Sequence, residues 1–127
     1  MKLRLQSNSV RFRLKRSEVE QLANTGRIEE KIVFGTNSDD AFHYVLEASA
    51  SVTALLARCE DRRVVVRLPV DAVARWAASE EVGIEGTQLA GEEGRLDVLI
   101  EKDFGCLKGP EEQNRDTFPN PMAGTKC

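Results

Sequence analysis

The chain has 127 residues, 41% of them hydrophobic and 31% charged, with a net charge of −3. That length allows one domain or two very small ones sharing a core, and the composition is ordinary for a globular chain. No apolar run approaches the ~20 residues of a membrane-crossing helix, and MKLRLQSNSV lacks the apolar stretch and cleavage site of a secretory leader, so a cytoplasmic protein without membrane contact is expected.

"KLRLQ" reads as a first strand, followed by a polar turn at Ser7-Asn8 and a second strand, "VRFRL". Ser17 is a good N-cap, and the run behind it places Val19, Leu22 and Ala23 on one helical face until Gly26 closes the helix near Thr25. "RIEEKIVF" is a third strand. After the polar loop GTNSDDA comes a fourth, "FHYVLEA", whose alternation sends Phe42, Tyr44 and Leu46 to one face.

Beyond the junction SASVT the same order returns. "LARCE" precedes a turn at Asp61-Arg62, then "VVVRL", an N-cap at Asp71 with Val73, Trp76 and Ala77 on the helix face to Ser79, "EVGIEGTQ", the loop AGEEGR and "LDVLIEK". Sliding the chain along itself by 54 positions superimposes residues 1–50 on 55–104 with seven identities: Arg4/Arg58, Val10/Val64, Arg13/Arg67, Leu14/Leu68, Val19/Val73, Ala23/Ala77 and Glu47/Glu101. The coincidence of strands, turns and caps argues for a duplicated ββαββ unit. A unit of this size buries little alone, so the expected fold is α+β, mainly β: two copies forming one small pseudo-twofold barrel over 1–107, closed so that no strand edge is free. Residues 108–127, rich in proline, glycine and polar residues, read as an irregular tail in which Phe118 anchors, while Phe104 and Leu107 close one mouth of the barrel.

"NSVRFRLKRSEVEQL" and "VVVRLPVDAVARWAASEEVGIE" resemble the swapped-hairpin barrel domains of bacterial transition-state regulators and addiction-module antitoxins. Neither copy has that family's full motif: Lys15 stands where the pattern has proline, and the second copy lacks the asparagine-serine pair. The resemblance implies a barrel made from two interleaved copies and DNA contact through basic residues of the N-terminal hairpins. From end to end the chain is also similar to a small uncharacterised bacterial family, a domain of unknown function, through "MKLRLQSNSVRFRL", "LIEKDFGCL" and "FPNP". That likeness implies no activity.

Six basic residues and no acid fall between Met1 and Arg16, whereas Ser51 to Asp103 carries seven basic and eleven acidic residues. The candidate anion- or DNA-binding residues are Arg4, Arg13, Arg58 and Arg67, two repeat-related pairs on the outer side of their strands, with Arg11 and Lys2. Arginine suits phosphate because its planar fork donates two parallel hydrogen bonds, and outward arginines also simply solubilise a sheet.

The three cysteines (Cys59, Cys106, Cys127) show no CxxC spacing, which argues against a disulfide framework or zinc site. Cys59 is expected to pack as a small hydrophobe. His43, the only histidine, is read as an exposed strand residue, and Asp39-Asp40 and Glu92-Glu93 as solvated loops. No catalytic residue, metal or cofactor is assigned, and Cys106 has no activating neighbour in sequence. The expectation is a non-enzymatic binding module for a protein or small anionic ligand. A DNA-binding regulator is the first alternative and an enzyme of unrecognised type the second.

Overall fold

A computed structural model of the protein describes residues 1–104 and 116–118. The elements are β1 (Lys2–Gln6), β2 (Ser9–Leu14), α1 (Arg16–Thr25), β3 (Arg27–Val33), β4 (Ala41–Ser49), β5 (Leu56–Glu60), β6 (Arg63–Pro69), α2 (Val70–Ala78), β7 (Gly83–Leu89) and β8 (Arg95–Lys102). The protein is thus α+β and mainly β. The β5–β6 turn holds Asp61 and Arg62 at φ 51° and 58°, the left-handed geometry that lets a two-residue connection follow the twist of its strands.

Both helices begin two residues earlier than their N-cap signals suggest. Lys15 and Pro69 occupy the cap positions, which puts Ser17 and Asp71 in the first turn. In α1 the capping role passes to Glu18, whose carboxylate accepts the Lys15 N–H at 2.8 Å, while Gly26, at φ 80°, ends the helix by donating to the Leu22 carbonyl at 2.9 Å. Val19 and Leu22, and Val73 and Trp76, face inward as expected, but Ala23 is exposed. β7 starts two residues later than the sequence pattern places it.

The strands form two four-stranded sheets, β1-β2-β8-β7 and β3-β4-β6-β5. Each sheet therefore holds one hairpin from residues 1–49 and one from 56–102. Where the two meet, the strands are parallel: Ser9 lies opposite Asp97 and Arg63 opposite His43. Adding 54 to Ser9 gives Arg63, and subtracting it from Asp97 gives His43, so the two ladders share one register. The inward faces of both sheets and the two helices enclose a single core that includes Phe12, Leu14, Leu46, Leu68, Trp76 and Ile100.

The sheets stay open, contrary to the expected closed barrel: among the described strands no ladder joins one sheet's edge to the other's. Side chains bridge the seams instead. Between β5 and β7 the Gln88 amide accepts from the Ala57 N–H and donates to its carbonyl, both at 2.8 Å, as a neighbouring strand would. Beside it Gly86 is so near Leu55 that an added Cβ would sit 3.0 Å from the leucine Cβ. At the other seam the Met1 ammonium lies against the carboxylates of Glu18 and, at 2.9 Å, Glu30, and the Tyr44 hydroxyl donates to Glu30 at 2.7 Å. Burial favours a protonated Glu30, but the ammonium and the Tyr44 hydroxyl outweigh it and hold the carboxyl below its usual range.

Phe118 docks as the sequence suggests. It makes a short parallel bridge with Phe104, its N–H donates to the Asp103 carbonyl at 2.9 Å, and its ring meets Phe104 edge-on at 6.2 Å and carries the Arg16 guanidinium at 5.4 Å. Two residues earlier, the Asp116 carbonyl accepts the Arg16 N–H at 2.9 Å and its carboxylate accepts from Ser17. Leu107, Cys106 and Cys127 lie outside the described residues.

Two measurements test this packing. Phe118→Ala is expected to destabilise the protein by about 2 kcal/mol, below the range for a fully buried phenylalanine because this ring is half-buried. A thermal melt reads the loss directly, and an unchanged midpoint would show that the ring contributes nothing. Tyr44 is pushed up to about 12 by burial and by the Glu30 carboxylate. A raised pKa means that the stability contributed by the neutral phenol is complete below pH 10 and is lost as pH rises from about 10 to about 12. Tyr44 is the only tyrosine, so the absorbance band of tyrosinate should form near the upper value or together with alkaline unfolding.

Candidate anion-binding face

The outer faces of the sheets follow from register and alternation. On the first sheet, Lys2 lies opposite Arg13 and Arg4 opposite Arg11 across the β1–β2 ladder. Four cations therefore share one face of one hairpin. Beyond β2 the rows continue to Glu101 and Leu99 of β8. Arg13 Nε donates to Glu101 at 2.6 Å, Arg11 Nε is 3.8 Å from the same oxygen, and Lys2 is 3.3 Å from Asp103. One carboxylate thus serves two arginines. Arg4 makes no ion pair among the described residues, although it faces Arg11 directly, and like charges opposite one another across a ladder are unfavourable.

The second sheet holds Arg58 and Arg67, so the structure brings Arg4, Arg11, Arg13 and Lys2 together and sets the other two candidates on a different face. Here most of the charges are paired. Glu47 binds Arg27 and Arg67, both at 3.2 Å; Glu29 binds Arg27 at 2.6 Å and His43 Nδ1 at 2.8 Å, with Arg63 at 3.8 Å. Burial alone would raise the Glu29 carboxyl, but the His43 and Arg27 hydrogen bonds outweigh it and hold it below the usual range. The same bonds, from Glu29 and Glu47, raise Arg27 further. Arg58 has no ion pair among the described residues. Beneath this lattice Val45 is fully buried although it points away from the core, because the flanking charged side chains lay their apolar stems over it.

The arrangement explains two of the repeat-related identities. Arg13 pairs with Glu101 and Arg67 with Glu47, so Arg13/Arg67 and Glu47/Glu101 are the two sides of one ion pair made twice, each time between the halves. The sequence offset contained this signal, but only the parallel register turns it into a contact. His43 is half-buried and held by Glu29 rather than exposed. Cys59 is exposed rather than packed, since β5 is an edge strand.

Two open cavities accompany these faces. One, of about 360 Å³, lies over Ser38, His43, Glu60, Asp61, Arg62 and Arg63; the other, of about 450 Å³, over residues including Arg11, Glu85, Thr87, Asp97 and Leu99. Both mix charges of either sign, and the buried polar side chains Lys102 and Asp103 line neither. Among the described residues no cluster of three or more His, Cys, Asp or Glu side chains is placed to hold a metal, and no helix is long and apolar enough to cross a membrane.

A family model covers residues 1–122, nearly the whole chain and both hairpin pairs. The chain belongs to the Family of unknown function DUF7009. No curated protein and no solved structure matches it. Membership of DUF7009 carries no activity, so the chemistry rests on the faces described above.

The buried Val45 and the ion pairs above it separate in a salt titration. Val45→Ala is expected to cost about 1–2 kcal/mol in urea unfolding at low and high salt alike, because it loses packing. Glu47→Gln should cost less than about 1 kcal/mol, and that loss should shrink at ~1 M salt, where exposed charges are screened.

Proposed function

We propose that the protein is a non-enzymatic binding module that takes an anionic partner on the outer face of the β1–β2 hairpin. The observation that carries this reading is the charge imbalance there: Lys2, Arg4, Arg11 and Arg13 share one face, Glu101 holds Arg13 at 2.6 Å and lies 3.8 Å from Arg11, Lys2 lies 3.3 Å from Asp103, and Arg4, facing Arg11, has no counter-ion among the described residues. An incoming carboxylate or phosphate would relieve the Arg4–Arg11 repulsion, whereas Arg58 of the second sheet, also without an ion pair among the described residues, lies opposite Val65 rather than another cation. The reading includes a duplicated ββαββ unit. The shared register of the parallel ladders and the twice-made Arg–Glu pair support it.

A second reading, a DNA-binding regulator, is favoured by one observation. The N-terminal hairpin that carries the cations is exchanged onto the other half's sheet, which is what the likeness to regulator and antitoxin domains implies. The net charge of −3 weighs against a broad nucleic-acid surface.

Fluorescence anisotropy with two labelled probes, a polyglutamate peptide and a random DNA duplex, tests both readings at ~50 mM salt. Arg4→Ala/Arg11→Ala should weaken binding at least about tenfold, the scale of a single charge-assisted hydrogen bond, and Glu101→Ala should strengthen it by freeing Arg11 and Arg13. If neither probe binds, or the two variants shift affinity in the same direction, the anion-binding reading falls. If the duplex binds far more tightly, with a salt slope near −0.9 per phosphate neutralised, the DNA reading replaces it.

A further inference from the structure

The two seams of the fold are built alike but finished differently. On one, Leu55 lies against Gly86 and Ala57 is held by Gln88, so β5 and β7 run side by side and the Gln88 amide fills the outward hydrogen-bonding groups of Ala57. On the other, the Met1–Glu30 contact fixes the start of β1 against β3, but the ladder position of Gln88, opposite Leu96, corresponds to Ile32, opposite Phe42, whose side chain offers no hydrogen bond. In β1 the Gln6–Ser9 pair closes the hairpin, so the backbone groups of Leu3 and Leu5 point away from β2. Among the described residues nothing hydrogen-bonds to them. The apolar side chains along this seam are also open: Leu5 is 61% exposed, Ile32 43% and Phe34 75%.

We infer that the β1 edge is a docking strand for an extended acidic segment of a partner protein, one that alternates acidic and apolar residues. This rests on the anion-binding reading of the same hairpin and adds how the partner binds. An added strand makes main-chain hydrogen bonds to Leu3 and Leu5 and takes its specificity from alternate side chains. Its residues on the outer face meet Lys2 and Arg4, and those on the inner face meet Leu3, Leu5 and the open end of β3. Charge selects the occupant. A second copy pairing through β1 would set Lys2 and Arg4 against the same cations, which is unfavourable, whereas a strand carrying glutamate or aspartate at alternate positions completes the ladder and neutralises the face together.

The test uses the full chain and a labelled eight-residue peptide of alternating glutamate and valine. N-methylation removes backbone donors, so the peptide is also made with methyl groups on the glutamates only and on the valines only. Strand addition uses the donors of one alternate set: one methylated peptide should lose binding at least about tenfold and the other should keep it. Leu5→Pro removes an outward N–H that the β2 ladder does not use, a substitution edge strands accept, and should reduce binding comparably. Leu5→Ala keeps that N–H and serves as the second variant should the proline disturb the fold. It should retain the methylation pattern with weaker affinity. If all three peptides bind equally, the anion-binding reading stands and strand docking is overturned. If none binds while the duplex of the preceding experiment does, the partner is nucleic acid. Equal binding to vesicles of anionic lipid and to the peptide would overturn selectivity for a protein strand.

Discussion

Everything else in this fold depends on the parallel pairing of β2 with β8 and of β4 with β6. In each pair one strand comes from the first half of the chain and the other from the second, so neither half owns a complete sheet. Parallel strands cannot be joined by a tight turn, and here the connection between them runs through a further strand or most of the chain. The apolar faces of these central strands need covering, and the partner sheet with α1 and α2 supplies the cover. The ion pairs Arg13–Glu101 and Arg67–Glu47 cross the same two junctions, marking on the surface the register that the core enforces beneath.

The two halves share this backbone plan and differ where it meets solvent. One seam is stitched by Gln88, the other by a buried ammonium, Glu30 and Tyr44. The ends differ as well. On β8 the inward position next to Trp76 is Lys102, buried, its ammonium donating to the Ser79 carbonyl at 2.7 Å and lying 5.9 Å from the Trp76 ring and 5.2 Å from Phe118. The matching position on β4 is Ala48. Burial lowers the Lys102 pKa even though Glu81 and Glu80 pull it the other way. One end of the molecule has thus acquired a polar buried group with aromatic walls, and Phe118 is one of those walls.

Local chemistry made much of this legible in advance. Turn residues, helix periodicity and β alternation mark nearly every element because each is set by neighbours within a few positions. Strand order is not local. Nothing in "LDVLIEK" says that its partner is "VRFRL", and the choice between a closed barrel and two open sheets turns on seams bridged by side chains such as Gln88. The same limit applies to the site. Outward arginines can be read from alternation, but whether they are free depends on which glutamates the ladder places beside them: Arg13 and Arg67 are held by carboxylates, whereas Arg4 and Arg58 have no ion pair among the described residues. Cys59 was expected to pack and is exposed, because an edge strand has a neighbour on one side only. Val45 reverses the error, an outward residue buried by the stems of its charged neighbours.

The pairing of β2 with β8 also has a consequence for how the chain acquires its structure during synthesis. The first hairpin emerges from the ribosome early, yet Arg13 must wait for Glu101, 88 residues later in the sequence. Until β8 arrives, β1–β2 is a two-stranded ribbon with both edges open, and such a ribbon is marginally stable by itself. Pairings so distant in sequence slow the search for the native state and leave strand edges exposed in the meantime. The concentration of positive charge on this hairpin, with no acid before Arg16, disfavours edge-to-edge pairing between unfinished copies during that interval, because like charges set against one another across a ladder are unfavourable.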